Sequence, residues 1–141
     1  MNYWILKTEP ETYSFEDLIK DKKTTWDGVR NYQARNNIRA MVKGDLVVIY
    51  ESVGPKAAVG VAKVASAPYA EKGTSEEWSV IDLMPVKPFA KNIELSEMKA
   101  HAVLKNMKLV KQSRLSVCPL TEKEFKVLVK MGGVAPLNPL G

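Results

Sequence analysis

Apolar residues recur along this chain in short runs that predict strands. Residues 3–8, YWILKT, are aromatic and β-branched enough for a strand close to the start of the chain. Residues 45–50, DLVVIY, form a continuous apolar run that is bounded by a glycine and a turn sequence, which favours a second strand. AAVGVAKVAS at 57–66 follows as its hairpin partner, and Gly60 leaves room there for a close backbone approach or a bulge.

Two later segments also predict strands. WSVIDLMPV at 78–86 is interrupted by Pro85, so we expect it to lie at a sheet edge or to end at the proline. RLSVCPL at 114–120 is the fifth strand, and its cysteine is expected to be buried at a sheet edge.

Helical periodicity and capping signals separate these strands. Ser14 and Asp17 form a capping box ahead of FEDLIKD at 15–21. Apolar residues in EMKAHAVLKNM at 97–107 are spaced as a stripe that faces the core. Thr121 and Glu124 form a second capping box, followed by a buried stripe that includes Phe125, Leu128 and Val129 and by Gly132 as a helix end.

Short helices interspersed with about five strands predict an α+β fold with a small curved sheet or barrel. The 141 residues suit one domain, 1–141, and contain no internal repeat and no linker long enough to divide it.

The segment TTWDGVRNYQARNNIRAMVKGDLVVIY at 24–50 combines arginine, aromatic and amide side chains. Asp27 and Gly28 suit a turn, and residues 31–41 predict an amphipathic helix whose inward face is Ala34, Ile38 and Met41. Three residues share one flank of that helix: Tyr32, Arg35 and Arg39. Like charges four residues apart cost a few tenths of a kcal/mol, so either an anionic ligand lies between the arginines or acidic residues elsewhere in the fold pair them.

Trp26 has two interpretations. A tryptophan before a turn commonly belongs to the core. Its surroundings favour a stacking surface, because amide and hydroxyl groups that can form hydrogen bonds with base edges lie nearby in the sequence: Asn31, Asn36, Asn37, Tyr50 and Ser52. An aromatic platform with such polar groups is what holds an unstacked base.

The net charge of +5 and the pI of 9.3 favour anionic partners only mildly. The distribution is more informative, since residues 98–121 contain five bases and no carboxylate: Lys99, Lys105, Lys108, Lys111 and Arg114. This segment is either a solvated helix face or one positive surface.

The single cysteine, Cys118, excludes an intrachain disulfide and favours a reduced intracellular compartment, which we take to be the cytoplasm. The single histidine, His101, is expected to be a surface or core residue. No apolar run approaches the length of a membrane span, and the N-terminal residues lack a leader pattern, so a soluble protein without membrane contact is expected.

Four blocks of the sequence resemble the EVE domain, a member of the PUA-like superfamily: YWILKTEP with the following YS and DL, TWDGVRNYQARNNIRAMVKGDLVVIY, VGVAKV, and MKLVKQSRLSVCPL. The resemblance implies a PUA-like mixed β-barrel of five or six strands with short flanking helices. EVE domains are related to YTH domains, which bind N6-methyladenine, and have been linked to modified cytosines in DNA.

The resemblance also implies a set of site residues. The base pocket would contain Lys7, Thr8, Trp26, Asn31, Tyr32, Tyr50, Ser52 and Trp78. Phosphates around it would be held by Arg30, Arg35, Arg39, Lys111 and Arg114. This chain departs from the family in a short connection at 66–77, in Tyr69-Ala70 where a proline usually follows the tyrosine, and in Thr8 where serine is common.

The expected function is therefore a non-enzymatic module that captures a flipped or single-stranded base, methylated or hydroxymethylated, in single-stranded or opened DNA or RNA. It would act as a monomer without metal or cofactor. The competing class is a small hydrolase of modified nucleosides, similar to the ASCH group, with Lys7, Thr8 and Glu9 as activating groups. A protein-interaction role or an accessory role in RNA modification is the third possibility.

Overall fold

A computed structural model describes residues 1–74 and 77–134. Its strands are β1 (Tyr3–Thr8), β2 (Thr24–Trp26), β3 (Leu46–Glu51), β4 (Ala57–Val64), β5 (Tyr69–Ala70), β6 (Ser79–Glu94) and β7 (Val117–Leu120). Its α-helices are α1 (Phe15–Asp21), α2 (Tyr32–Ala40), α3 (Leu95–Ala100), α4 (Lys108–Lys111) and α5 (Glu122–Met131), with a 3₁₀ turn at Leu104–Asn106.

Six strands form one curled half-barrel in the order β2-β6-β4-β3-β1-β7, and β5 pairs with the start of β6. β1 runs parallel to β3, and every other ladder in the described part of the chain is antiparallel. Residues from both the strands and the helices fill a single buried core. The predicted α+β class is confirmed.

Helix α2 connects β7, at one end of the half-barrel, to β6, the strand next to the other end. Asn37 Nδ2 donates to the carbonyl oxygen of Val117 in β7 at 2.7 Å, and Arg39 Nε donates to Ser79 Oγ in β6 at 2.8 Å. Ala34 and Ile38 are fully buried beneath the helix, as the inward face predicts. The helix therefore closes the fold where no ladder joins β2 to β7 in residues 1–74 and 77–134.

The local signals for α1 and α5 are confirmed. Asp17 N donates to Ser14 Oγ at 3.0 Å, and Ser14 N donates to Asp17 Oδ2 at 2.9 Å. Thr121 and Glu124 form the same reciprocal pair at 3.1 and 2.9 Å. Each box satisfies two N–H groups that a helix start leaves without partners.

Strand β6 is longer than the sequence predicts. It continues through Pro85, which lies opposite Ala62, and through Pro88, opposite Gly60, to end at Glu94. The pairing with β2 stops at Leu83, so the prolines follow the part of β6 that has neighbours on both sides. Pro85 therefore lies on an edge, which is one of the two expected positions. The strand does not end there, because register shifts in the β4–β6 ladder accommodate both prolines.

The predicted helical region at 97–107 is present but interrupted. The chain leaves the helical conformation at His101, whose backbone is extended and whose Nδ1 accepts from the N–H of Val103 at 3.0 Å. Two short helical pieces, α3 and the 3₁₀ turn, take its place, and Met98 and Leu104 are still fully buried. The apolar stripe therefore predicted the buried side correctly but not the break.

Gly60 provides the close approach that the sequence suggests. A Cβ atom there would lie 2.6 Å from Cε2 and Cζ of Phe15, so the Phe15 ring rests directly on the backbone of β4. The β3–β4 and β4–β6 ladders also shift register beside this glycine. This contact packs the first residue of α1 against the sheet.

A buried carboxylate joins the start of β1 to the start of β3. Asp45, which is 2% exposed, accepts from Trp4 Nε1 at 3.0 Å, from the N–H of Val42 at 2.9 Å and from the N–H of Asn2 at 3.1 Å. These three hydrogen bonds offset the free-energy cost of burying a carboxylate.

None of the helices within the described residues is long and apolar enough to cross a membrane.

Candidate functional site

An open cavity of about 740 Å³ lies where β1 and β2 end and the turn into α2 begins. Its lining comprises Lys7, Thr8, Glu9, Thr12, Tyr13, Thr24, Thr25, Trp26, Asp27, Gly28, Val29, Arg30, Asn31 and Ser116. Cavities of this size accept small ligands. Aromatic, hydroxyl, amide and charged groups of both signs meet in it.

Four residues of the predicted base pocket line this cavity: Lys7, Thr8, Trp26 and Asn31. Arg30, which belongs to the predicted phosphate set, lines it as well. Distant parts of the sequence are brought together because β1 ends beside the turn that follows β2.

The apolar wall of the cavity is an aromatic corner. Trp26 is half-buried, and the Tyr13 ring meets it edge to face, with centroids 6.3 Å apart and an interplanar angle of 82°. Tyr13 Oη donates to Asp21 Oδ2 at 2.8 Å, and burial, the largest cause, raises the pKa of this phenol. Tyr13 is absent from the predicted site, although the YS pair that includes it is part of the family resemblance.

Lys7 and Thr8 are fixed by main-chain carbonyl groups in the cavity wall. Lys7 Nζ donates to the carbonyl oxygen of Ser113, and Thr8 Oγ1 donates to that of Tyr13. Burial lowers the pKa of Lys7 below that of an exposed lysine. Both side chains therefore have defined positions before any ligand binds.

The three asparagines of the segment 24–50 have different structural roles. Asn31 caps α2, since its Oδ1 accepts from the N–H of Ala34 at 2.9 Å while the residue also lines the cavity. Asn36 Oδ1 accepts from the guanidinium of Arg35, and Asn37 holds β7 as described above. Of the three, only Asn31 is at the cavity.

Tyr50 and Ser52 do not line the cavity. Tyr50 pairs with Lys7 in the β1–β3 ladder, but it is 3% exposed and belongs to the core, where burial raises its pKa. Ser52 Oγ donates to the carbonyl oxygen of Thr8 at 3.2 Å. The end of β3 therefore lies beside the end of β1, but neither side chain reaches the cavity.

Tyr32 and Trp78 form a second aromatic cluster beside the cavity. Their rings are stacked, with centroids 5.0 Å apart and an interplanar angle of 21°. Cζ of Arg35 lies 4.9 Å from the Tyr32 centroid, and Cζ of Arg30 lies 5.4 Å from the Trp78 centroid. Arg30 thus contacts the stack and lines the cavity, which makes the two surfaces continuous. We call these four residues the Tyr32 cluster.

A carboxylate orients Arg30. Arg30 Nη2 lies 2.5 Å from Glu71 Oε2, and the N–H of Gly28 donates to Glu71 Oε1 at 2.8 Å. The bond to Arg30 is the main cause of the lowered pKa of Glu71. Gly28 has a φ of +77°, so the predicted Asp27-Gly28 turn uses the conformational freedom of glycine.

Arg35 and Arg39 share one acceptor. Arg35 Nη1 and Arg39 Nη2 donate to the carbonyl oxygen of Glu77 at 3.2 and 3.1 Å. A main-chain dipole therefore lies between the like charges on α2, and it connects the helix to the segment ahead of β6. Their predicted contact with phosphate stays a prediction.

Lys111 and Arg114 line a separate shallow hollow of about 340 Å³. Its lining contains both cations and no carboxylate, and Asn31 belongs to this hollow and to the cavity. All five bases of the segment 98–121 are exposed. Two of the five, Lys111 and Arg114, thus adjoin the cavity rim.

Cys118 and His101 lie in positions that do not suit nucleophilic catalysis. Cys118 is fully buried, and burial raises the pKa of its thiol to about 11, so the thiol is protonated at neutral pH. His101 is half-buried and uses Nδ1 to hold a turn. In the described residues, no group of three or more His, Cys, Asp or Glu side chains is arranged to hold a metal ion.

Comparisons with known proteins agree with this geometry. The family model of the EVE domain matches residues 2–131. Mouse thymocyte nuclear protein 1 is 35% identical over 170 aligned positions, which cover 96% of this chain and 75% of the mouse protein. The predicted location in the cytoplasm, the monomeric state and the extension of the domain over all of 1–141 stay predictions.

Two solved structures are similar to this one. The crystal structure of human THYN1 in complex with 5-methylcytosine-containing DNA has a TM-score of 0.85 and 33% identity, over 96% of this chain and 100% of that chain. The YTH domain of Zygosaccharomyces rouxii MRB1, solved with N6-methyladenosine RNA, has a TM-score of 0.59 and 13% identity, over 97% and 87% of the two chains. The second similarity concerns the fold alone, and together they confirm the predicted PUA-like architecture.

Proposed function

The chain belongs to the EVE domain family, and we propose that it is a non-enzymatic module that binds nucleic acid and holds one modified base in the cavity. The observation that carries the proposal is the aromatic corner of Trp26 and Tyr13 inside a cavity rimmed by Arg30. The complex of human THYN1 with 5-methylcytosine-containing DNA supports it from a relative.

The cavity walls supply both forces that base capture needs. A base that has left its stack would pack against the Trp26 ring, and stacking on an aromatic side chain contributes roughly 1 to 3 kcal/mol. Thr8, Asn31 and Lys7 would then select the base by hydrogen bonds to its edge, since their side chains are already positioned. A methyl group that fills the apolar corner adds about 0.8 kcal/mol, or roughly a fourfold preference.

The cations around the cavity would hold the backbone of the same strand. Arg30 is at the rim, and Lys111 and Arg114 lie in the hollow that shares Asn31 with the cavity. Arg35 and Arg39 extend the row along α2. Phosphate contacts of this kind release counterions, so affinity falls with salt.

Fluorescence anisotropy with labelled oligonucleotides tests the proposal. DNA and RNA, single-stranded and duplex, would carry one cytosine, 5-methylcytosine, 5-hydroxymethylcytosine or N6-methyladenine and would be titrated at two salt concentrations. We expect one modified base to bind severalfold more tightly than its unmodified counterpart, with the preference retained at the higher salt.

The matched variants are Trp26→Ala and Tyr13→Leu, with circular dichroism to verify the fold. Both should remove the preference for the modified base while leaving salt-sensitive binding to phosphates in place. Equal affinity for every oligonucleotide, abolished at moderate salt, would show that the cavity does not select bases.

A modified-nucleoside hydrolase is the second candidate, because Lys7, Thr8 and Glu9 do meet in the cavity and burial lowers the pKa of Lys7. The ammonium group is engaged with the Ser113 carbonyl, and Glu9 follows the end of β1 with an exposed side chain. Incubation with methylated and hydroxymethylated nucleosides, followed by chromatography, separates the two functions. Turnover that disappears in Lys7→Met would establish the enzyme.

A further inference from the structure

We propose that the exposed ring of Tyr32 is a second base subsite, which stacks the nucleotide next to the one held in the cavity. This inference rests on the proposed function and adds to it a length requirement, because the protein would bind two adjacent nucleotides of one strand. The base in the cavity would be held by stacking and by hydrogen bonds to its edge, and its neighbour by stacking alone.

Tyr32 presents an aromatic ring to solvent in a fixed orientation. The side chain is 56% exposed, although one face of the ring is stacked on Trp78 with centroids 5.0 Å apart. Tyr32 Oη donates to Glu77 Oε1 at 2.6 Å, which pins the far end of the ring. It is also the first residue of α2, directly after the Asn31 cap, so its backbone is fixed.

A ring held at both ends suits stacking better than a mobile side chain. Ordering a flexible side chain on binding costs about 0.5 to 1.5 kcal/mol, and Tyr32 has already been ordered by Trp78 and Glu77. Every base has a π-face, so this subsite would be tolerant of sequence. The base in the cavity would carry the selectivity instead.

The Tyr32 cluster is placed to receive a neighbouring nucleotide. Arg30 lines the cavity and has its guanidinium 5.4 Å from the Trp78 centroid, and Asn31 lines the cavity immediately before Tyr32. The surface from cavity to ring is thus formed by three consecutive residues, 30–32. Arg35 lies over the Tyr32 ring, with Cζ 4.9 Å from the Tyr32 centroid and 6.0 Å from the Trp78 centroid, and it adds a positive charge to the stack where the strand would continue.

The test asks whether removing a base from the ligand and removing the Tyr32 ring from the protein abolish the same contact. The probe is a labelled nine-nucleotide DNA with a central 5-methylcytosine, in single-stranded and duplex form. An abasic tetrahydrofuran residue would replace the base on its 5′ side, the base on its 3′ side, or the remote terminal base. We expect one neighbouring abasic site to weaken wild-type binding roughly 5- to 100-fold and the remote site to leave it unchanged.

Tyr32→Leu should weaken binding of the intact probe by a similar factor, and in that variant the neighbouring abasic site should have no further effect. Tyr32→Phe, which keeps the ring and loses the bond to Glu77, should bind within about threefold of the wild type. The preference for 5-methylcytosine over cytosine should be unchanged in both variants, because the cavity is intact.

Two results would overturn the inference. Independent losses from Tyr32→Leu and from each abasic site would show that no base stacks on this ring, and loss of the 5-methylcytosine preference in Tyr32→Leu would place Tyr32 in the base pocket itself. Failure of the proposed function has a different signature, since the wild type would then show no preference for any modified base in the first place.

Discussion

The carboxylate of Glu71 and the guanidinium of Arg30 form an ion pair at the cavity rim, with Oε2 and Nη2 2.5 Å apart. The same carboxylate accepts from the N–H of Gly28. A phosphate bound by Arg30 would therefore lie close to a negative charge of the protein, and Glu71 should restrain affinity for nucleic acid while it keeps Arg30 oriented.

Glu71→Gln should raise affinity for oligonucleotides a few-fold and steepen the dependence of log K on log salt by up to about one unit. The amide oxygen of glutamine can still accept from Gly28, so the turn is retained and only the charge changes. Anisotropy titrations over a series of salt concentrations measure both quantities. Arg30→Gln is the opposite control, with weaker binding and a shallower slope; an unchanged slope in both variants would mean that Arg30 makes no phosphate contact.

Asn31 combines two roles that substitution can separate. Asn31→Ala removes the cap of α2 and should lower the free energy of unfolding by about 1 kcal/mol, within the usual range for such caps. Asn31→Ser keeps a capping oxygen but lacks the amide, so stability should stay close to that of the wild type. If Asn31→Ser nevertheless loses base preference in the anisotropy assay, the amide contributes to recognition; full preference in Asn31→Ser would restrict Asn31 to the cap.

Gly60→Ala should destabilise the fold by roughly 1 to 3 kcal/mol, because its Cβ would collide with the Phe15 ring. Urea unfolding of the wild type, Gly60→Ala, Phe15→Ala and the double variant gives the coupling between the two positions. The double variant should lose less than the sum of the single losses, since the smaller side chain at 15 makes room for the methyl group. Additive losses would contradict the collision.

Ionisation of the buried Cys118 thiol is expected to lower the stability of the fold in alkaline solution. A thiol in the unfolded chain has a pKa of about 8.5, whereas burial raises the pKa of Cys118 to about 11 in the folded protein. The folded state thus holds the proton more tightly, so this contribution to stability is complete below about pH 8.5 and is lost as the pH rises through 11.

Comparison of the wild type with Cys118→Ala isolates this contribution. The alanine variant should be less stable at pH 7.5, because it leaves a void in the core, but its free energy of unfolding should fall less between pH 7.5 and pH 10. Urea titrations at both pH values measure the difference. Equal alkaline losses in the two proteins would show that the buried thiol does not titrate abnormally.

Local signals predicted most of the framework of the fold. The two capping boxes and the inward stripe of α2 agree with the structure, because each depends on residues close together in the sequence. β2 and β5 were missed, since strands of three and two residues have no apolar pattern of their own and exist through their pairing with β6. The length of β6 likewise depends on register shifts in its partner, which no periodicity reveals.

The sequence could predict those residues of the candidate site that lie at strand ends. Lys7, Thr8 and Trp26 come together because each lies at or beside the end of β1 or β2. Tyr50 lies near the end of β3 in the same way, but its ring belongs to the core. The stack of Tyr32 on Trp78 joins α2 to the residue before β6, and only the path of the intervening chain brings those rings together.

The three tryptophans occupy three different environments, which gives the molecule its own set of optical reporters. Trp4 is buried with its indole N–H bound to Asp45, Trp26 faces the cavity, and Trp78 lies under Tyr32 at the surface. With two of the three replaced by phenylalanine, the emission of the remaining indole would follow unfolding of the core, occupation of the cavity or rearrangement of the rim. Three single-tryptophan variants would therefore report binding, stacking and folding separately, without an attached dye.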